Sequence, residues 1–325
     1  MFVNDNRKEI IRLLKQSEGN PVSGQEIGEK LGITRAMVWK YIRALRKEGY
    51  DIRSSPKIGY TLDAYPDRID SDELGKVLRT SLIGTDIRYY SELGSTNNTA
   101  REIAAKVTEG TVVIAETQTN GRGRLGTEWQ SASGGVWVSL ILKPSIPLEN
   151  VSKITLVVGI AVTNALRALN VDAHVKWPND VLVKGKKICG ILTEVSAEVE
   201  KVDHIILGIG INANVKLSDL KDEIRKNSTS IANELGKTID RTTFLADLFY
   251  ELEQQYIRFK TKQFTDIVDE WINLSDTIGK EVKITTPNKI IEGKAVGITE
   301  RGALVVIDRN GNRQEIIAGS CRYSN

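Results

Sequence analysis

Arg122 and Arg124 stand two residues apart among three glycines in QTNGRGRLGTEW, Gln118 to Trp129. Two permanent cations on a backbone that Gly121, Gly123 and Gly126 leave bare suit an anion, most simply a phosphate or a carboxylate. A second stretch, KWPND from Lys176 to Asp180, continues through VLVKGKKICGILTE to Glu194 and supplies Asn179, Asp180 and Lys187. LGSTN, Leu93 to Asn97, offers hydroxyls and an amide, and LGIGIN, Leu207 to Asn212, offers bare backbone ending in an amide. The only histidines, His174 and His204, belong to no recognisable nucleophile triad and read as structural.

The Gly-rich stretch lies between two strand-like runs, TVVIAET (111–117) and GVWVSLIL (135–142), so it is a loop between buried strands, where functional groups are usually displayed. It spells GxGxxG, yet TEWQSASGG after Gly126 lacks helical periodicity, which rejects a dinucleotide fingerprint; GIGINA at 208–213 fails the same test. No GxxxxGK[ST] occurs, so a nucleotide is not held by a P-loop. The segments around Val175 and Val181 to Val183, ICGILTEVS and DHIILGIGIN are also strand-like, and ITLVVGIAVTNALRAL (154–169) reads as a buried helix. Together they predict a mixed sheet with helices packed on it.

These four stretches, in their order along the chain, resemble the biotin protein ligases, and with the amino-terminal region they resemble the bifunctional type that also represses the biotin operon. The resemblance covers essentially the whole chain. It implies a fold shared with class II aminoacyl-tRNA synthetases and lipoate ligases, with ATP and Mg²⁺ as cofactors, biotin as substrate and biotinyl-5′-AMP as intermediate and corepressor. Its partners would be a biotin carboxyl carrier domain, operator DNA and, with adenylate bound, a second copy of the chain. Attack of a carboxylate on the α-phosphate of ATP needs no enzyme nucleophile; fixed cations and Mg²⁺ lower the barrier between two anions.

The resemblance carries roles onto single residues. Ser95, Thr96, Asn97, Gln118, Gly121, Gly123, Gly190 and Gly208 match positions around biotin, although Ser95-Thr96 would also make an ordinary helix cap. Arg122 would bridge the substrate carboxylate and the phosphates, and Lys187 takes the catalytic lysine position ahead of Lys184 and Lys186. Arg124, Asn179 and Asn212 would serve the nucleotide, and Trp129 would stack on adenine. Asp180 would orient or deprotonate the acceptor lysine. No fixed metal site is expected. The family pattern has a third arginine where this chain has Thr127, which implies weaker adenylation or altered control of adenylate release. Two alternatives stand beside the ligase reading: a biotin-sensing repressor with weak or lapsed ligase activity, and a lipoate-type ligase.

Residues 1–66 predict a winged helix-turn-helix. Ile10, Ile11, Leu13 and Leu14 give one helix an apolar face; Ser23 caps a second, with Glu26 completing a capping box; Thr34 caps a third running to about Glu48. On the third, Val38, Tyr41, Ile42 and Leu45 pack inward, while Ala36, Lys40, Arg43 and Lys47 face out as a basic stripe. Ser23, Thr34, Arg35, Ala36, Trp39, Lys40 and Arg43 are the candidate DNA contacts, joined by Arg53 and Lys57 on a hairpin wing. Charge agrees: residues 1–65 hold 12 basic against 8 acidic residues, and the remainder 33 against 34.

The catalytic domain is expected over 67–275 and an SH3-like barrel over 276–325, where EVKITT, IIEGKAVGIT, GALVVID and RQEIIA alternate with turns. No run of about 18 apolar residues occurs and the start is charged, so a cytoplasmic protein without a membrane segment is expected. Cys189 and Cys321 lie far apart without metal-ligand spacing and read as buried thiols.

Overall fold

The computed structural model describes residues 6–17, 19–56, 58–64, 66–198, 201–261 and 264–324. The chain divides into two units, Met1–Asp67 and Arg68–Asn325.

In the first unit, α1 (Asn6–Gln16), α2 (Gly24–Leu31) and α3 (Arg35–Lys47) precede a two-stranded antiparallel hairpin, β1 (Asp51–Ser55) and β2 (Gly59–Ala64). Local chemistry sets the helix starts. Ser23 Oγ accepts the Glu26 N–H at 3.0 Å, and Thr34 Oγ1 accepts the Met37 N–H at 3.3 Å. The Glu26 carboxylate turns to Lys30 at 2.9 Å, an i,i+4 pair, instead of serving the cap. Ile10, Leu14, Ile27, Val38, Ile42 and Leu45 close the core between the helices, each such burial contributing roughly 1.5–3 kcal/mol. Gly59 lets the hairpin meet α2's approach: a Cβ there would lie 2.3 Å from the Val22 carbonyl oxygen, where Val22 and Tyr60 bridge.

The second unit opens with α4 (Ser71–Val77), capped by Asp70, and β3 (Ile87–Leu93). It continues with α5 (Thr96–Ile103), β4 (Val112–Gln118), β5 (Val136–Leu142) and α6 (Val151–Ala168). Four more strands follow, β6 (Ala173–Lys176), β7 (Asp180–Val183), β8 (Lys186–Glu198) and β9 (Lys201–Ile211). The short helices α7 (Asp222–Arg225) and α8 (Ile231–Leu235) lead to α9 (Arg241–Lys260) and α10 (Phe264–Asn273). The last part is β10 (Glu281–Thr285), β11 (Ile290–Ile298), β12 (Leu304–Asp308), β13 (Arg313–Ile316) and β14 (Ser320–Tyr323).

The central strands form one mixed sheet in the order β3-β4-β5-β9-β8-β7-β6, parallel between β3 and β4 and antiparallel elsewhere. Both faces are covered. Val112 and Ile114 of β4 join the core under α6 and α9, while Val113 between them packs with Ala100 and Ala104 below α5. Hence β5 is buried along its whole length, an apolar run interrupted only by Ser139. Leu148–Ala168 is the one stretch among the described residues long and apolar enough to cross a membrane; here its helix is mostly buried as a core element. The helix α10 was not legible as an element; it buries Ile267, Val268 and Trp271. Strands β13-β12-β11-β10-β14 make a separate antiparallel sheet.

Candidate active site

A cleft of about 250 Å³ opens over the glycine-bearing parts of β8 and β9. Gly190 and Gly210 are register partners, and they form the seat of Trp129. A Cβ on Gly190 would lie 2.7 Å from Trp129 Cζ3, and one on Gly210 would lie 2.6 Å from Trp129 Nε1. Trp137 meets the same ring edge-on, with centroids 6.2 Å apart. Gly208, one step along, lies under Asn97, whose Oδ1 is 2.3 Å from where a Cβ would be. Side chains on these strands would fill the space that the cleft occupies.

Four cations line the cleft, Arg122, Arg124, Lys176 and Lys187, against two carboxylates, Asp180 and Glu128. Lys187 Nζ lies 2.7 Å from Asp180 Oδ1 and 5.0 Å from the centroid of the Trp129 ring. Arg124 donates to Asn179 Oδ1 and to the Gly319 carbonyl, both at 3.0 Å, so its fork ties the Gly-rich loop to the turn after β6 and to the carboxy-terminal sheet. Burial lowers the Arg124 pKa from its ordinary value, with nearby Asp180 opposing the shift. Arg122 donates to Asn98 Oδ1 at 2.5 Å and faces Glu194 at 3.5 Å. Its Nε is buried without a hydrogen-bond partner among the described residues, as is Trp129 Nε1.

The loop itself is a closed turn. Arg122 and Glu128 bridge, Gly123 N–H donates to the Thr127 carbonyl at 2.7 Å, and Trp129 N–H donates to the Gly121 carbonyl at 2.9 Å. Thr127 Oγ1 donates back to the Arg124 carbonyl at 2.9 Å. Lys221 reaches the neighbouring Glu128 at 2.6 Å.

At the other end, polar groups are oriented by one another. Gln118 Oε1 accepts the Thr96 N–H at 2.7 Å and Gln118 Nε2 donates to Ser131 Oγ at 2.7 Å. Asn97 Oδ1 accepts from Ser139 Oγ at 2.6 Å, and Asn97 Nδ2 donates to Glu194 at 2.7 Å. Because a carboxylate only accepts, Glu194 fixes which way the Asn97 amide points.

Of the expected residues, Ser95, Thr96, Asn97, Gln118, Arg122, Gly123, Arg124, Trp129, Asn179, Asp180, Lys187, Gly190 and Gly208 all lie on the cleft wall. Two do not. Gly121 is packed behind the loop, where a Cβ would lie 2.4 Å from the Trp129 carbonyl oxygen. Asn212 is buried and donates to the Thr229 carbonyl at 3.0 Å, holding the segment that bridges Lys187 through Ser228. Ser95 occupies the α5 N-cap position without making a side-chain cap bond, so ordinary capping is not its role. His174 and His204 pair with Asp172 and Asp203 and stand outside the cleft. Burial pushes the Cys189 thiol up, and Cys321, on the cleft wall, up to about 11.

Sequence reading passed over Lys176, Glu194 and Arg101, which binds Glu194 at 2.5 Å. Spacing of two from Gly190 through Leu192 to Glu194 was the available signal, since alternate strand residues share a face.

In the first unit, Arg35, Ala36, Lys40, Arg43 and Lys47 are exposed on α3, and the Arg43 guanidinium stacks 4.8 Å over the half-exposed Trp39 ring. Thr34 is exposed and Ser23 half-buried, both spending their hydroxyls on caps. Arg53, expected to reach out, is paired with Asp63 at 2.7 Å. Lys57 lies outside the described residues.

Comparison with known proteins bears on both units. Residues 6–61 match an HTH domain, 92–212 the biotin/lipoate A/B protein ligase family, and 277–322 the biotin protein ligase C-terminal domain. Over 308 residues the chain is 39% identical to the bifunctional ligase/repressor BirA of Bacillus subtilis, spanning 94% of this chain and 95% of that one. The chain belongs to the bifunctional biotin ligase/repressor family. The family member from Escherichia coli is 30% identical over 299 residues, 91% of each chain. The biotin protein ligase from Aquifex aeolicus, solved in complex with biotin and ATP, is similar to this ligase-family chain with a TM-score of 0.67 at 33% identity. That likeness covers 74% of this chain and 100% of that one.

Proposed function

We propose that the chain is an ATP-dependent biotin protein ligase and a biotin-responsive transcriptional repressor. The observation that carries the reading is the cleft's composition: four cations against two carboxylates, and a neutral set of Ser95, Thr96, Asn97 and Gln118, in which hydrogen bonds orient Thr96, Asn97 and Gln118, with Arg122 reaching toward that set through Asn98 and Glu194. The first suits phosphates and a carboxylate, the second an uncharged polar ring system.

In the first step a biotin carboxylate oxygen bonds to the α-phosphorus of ATP, the bond to the β-phosphate oxygen breaks, and its electron pair leaves with pyrophosphate. Arg122 bridges the carboxylate and the α-phosphate, Lys187 offsets the charge gathering there, and Trp129 stacks on adenine. In the second step the ε-amine of a lysine on a biotin carboxyl carrier domain attacks the acyl carbon and AMP leaves; Asp180 orients that amine or takes its proton. Among the described residues the carboxylates on the cleft wall are Asp180 and Glu128. Mg²⁺ carried in by the nucleotide would supply charge neutralisation at the phosphates.

Biotinyl-5′-AMP is also the corepressor in this reading. When acceptor is scarce, the adenylate-bound chain dimerises and two copies of α3 read paired operator half-sites in the cytoplasm. A second reading, a sensor with lapsed ligase activity, draws on Thr127 in place of an arginine. The closed turn that Thr127 itself helps to make speaks against it.

Biotin-dependent pyrophosphate release from MgATP, with lipoate as control, tests the ligase. Release with biotin alone, lost in Arg122→Ala and Lys187→Ala, is the expected result. Folded protein that binds biotin without releasing pyrophosphate turns the account to the sensor.

A further inference from the structure

Lys176 is a cleft cation to which the proposed chemistry gives no role. It is the cross-strand partner of Asp180 in the β6–β7 hairpin, so the two share a face of the sheet. Asp180 is nevertheless spent on Lys187 at 2.7 Å, and among the described residues Lys176 has no carboxylate within ion-pair distance. Its ammonium instead stands 4.7 Å from the centroid of the Tyr323 ring, which it shares with Lys280 at 4.3 Å. Tyr323 is fixed in turn by donating from its hydroxyl to Asp276 at 2.6 Å. A partly buried ammonium held by an aromatic face, without a counter-charge, on the wall of a cleft beside Arg124 and Ser320, is placed to receive an anion.

We propose that Lys176 contacts the β- and γ-phosphates of ATP and stabilises the departing pyrophosphate, with Tyr323 as its positioning residue. This deepens the ligase reading above and rests on it. As the bond between the α-phosphorus and the bridging oxygen breaks, that oxygen and the β-phosphate take up the electron pair, and no proton has to move. A cation touching only the leaving group assists adenylation and its reversal, and does nothing for an adenylate already made. Tyr323 on β14 and the Gly319 carbonyl just before it, which holds Arg124, both come from the carboxy-terminal segment, so that segment shapes the leaving-group end of the cleft.

The test separates ligands that carry the β- and γ-phosphates from ligands that do not. Binding of α,β-methylene-ATP, AMP and preformed biotinyl-5′-AMP is measured by calorimetry on the full chain, for the parent, Lys176→Ala, Lys176→Arg and Tyr323→Leu. Lys176→Ala weakens the triphosphate analogue roughly 10- to 50-fold, the loss of one charge-assisted phosphate contact, and leaves AMP and the adenylate within about twofold. Lys176→Arg restores most of the triphosphate affinity, and Tyr323→Leu shows a smaller selective loss. In turnover, kcat/KM for ATP falls by the same factor in Lys176→Ala, while single-turnover transfer from preformed adenylate keeps the parent rate. Equal weakening of all three ligands, or triphosphate binding at the parent level, overturns the proposal. A parent that releases no pyrophosphate overturns the ligase reading instead, and the binding comparison still decides the role of Lys176.

Discussion

Lys187 Nζ and Asp180 Oδ1 lie 2.7 Å apart on the facing strands β8 and β7, with the Trp129 ring 5.0 Å from the same ammonium. Both side chains are a third exposed or less, so the contact fixes where the ammonium sits more firmly than a solvated pair would.

Asp180→Asn keeps the side chain's size and removes its charge. Adenylate formation falls about 10-fold because Lys187 loses its tether, and transfer to the acceptor falls by roughly 10²–10³ if Asp180 handles the amine. Single-turnover assays of the two steps read them separately. Parent rates in both would remove Asp180 from the mechanism.

Gly190→Ala and Gly210→Ala should each displace Trp129, since the new methyl would sit 2.6–2.7 Å from ring atoms. The indole is half-buried, so the ring can swing away and the expected loss is in nucleotide binding. The KM for ATP rises about 10-fold or more, the scale of one lost stacking contact, with a shift in tryptophan emission. Gly75→Ala, on α4 with open space around it, is the control. Unchanged emission and KM in both variants would show that the Trp129 seat is not needed.

Glu253 offers a pH signature. Burial alone would raise its carboxyl pKa, but N–H donors from Ser81, Ile83 and Leu82 outweigh it and hold the group below its ordinary value. A depressed folded-state pKa contributes stability above the unfolded value, and that contribution is lost as pH falls through the folded one. Glu253→Gln therefore destabilises by about 2–4 kcal/mol at neutral pH, and denaturant titrations should show the gap to the parent closing in acid. A gap that stays constant from neutral pH into acid contradicts this account.

On α3, Lys40 and Arg43 are exposed, whereas Arg53 on the hairpin is spent on Asp63. Replacing Lys40 or Arg43 by Ala should each lower the slope of log affinity against log salt for duplex DNA by about 1, while Arg53→Ala changes it less. If Arg53→Ala has the largest effect, the hairpin and not α3 carries the phosphate contacts.

Much of this protein was legible in its sequence because the deciding interactions are local. Ser23 and Thr34 cap their helices by accepting from backbone N–H groups three residues on, which residue type and spacing specify without the rest of the chain. The strands β4, β5, β8 and β9 follow from apolar runs, and the order of the short motifs was enough to point to the cleft's main residues.

What only the tertiary structure decided is which side chains share a face. Strict alternation along β8 would put Lys187 and Gly190 on opposite sides of the sheet, three residues being an odd step. A register shift against β7, pairing Val181 with Cys189 but Leu182 with Lys187, brings the Lys187 side chain to within 3.2 Å of where a Gly190 Cβ would stand. Its neighbour Lys184 goes to solvent and pairs with Glu234. In the same way Asn212 turned inward to Thr229, Glu194 gathered Asn97, Arg101 and Arg122, and Tyr323 came from the far end of the chain to meet Lys176. Bulges, register and long-range pairs are set by the packing of segments distant in sequence, so residue types and spacing named the groups, and the fold chose their partners.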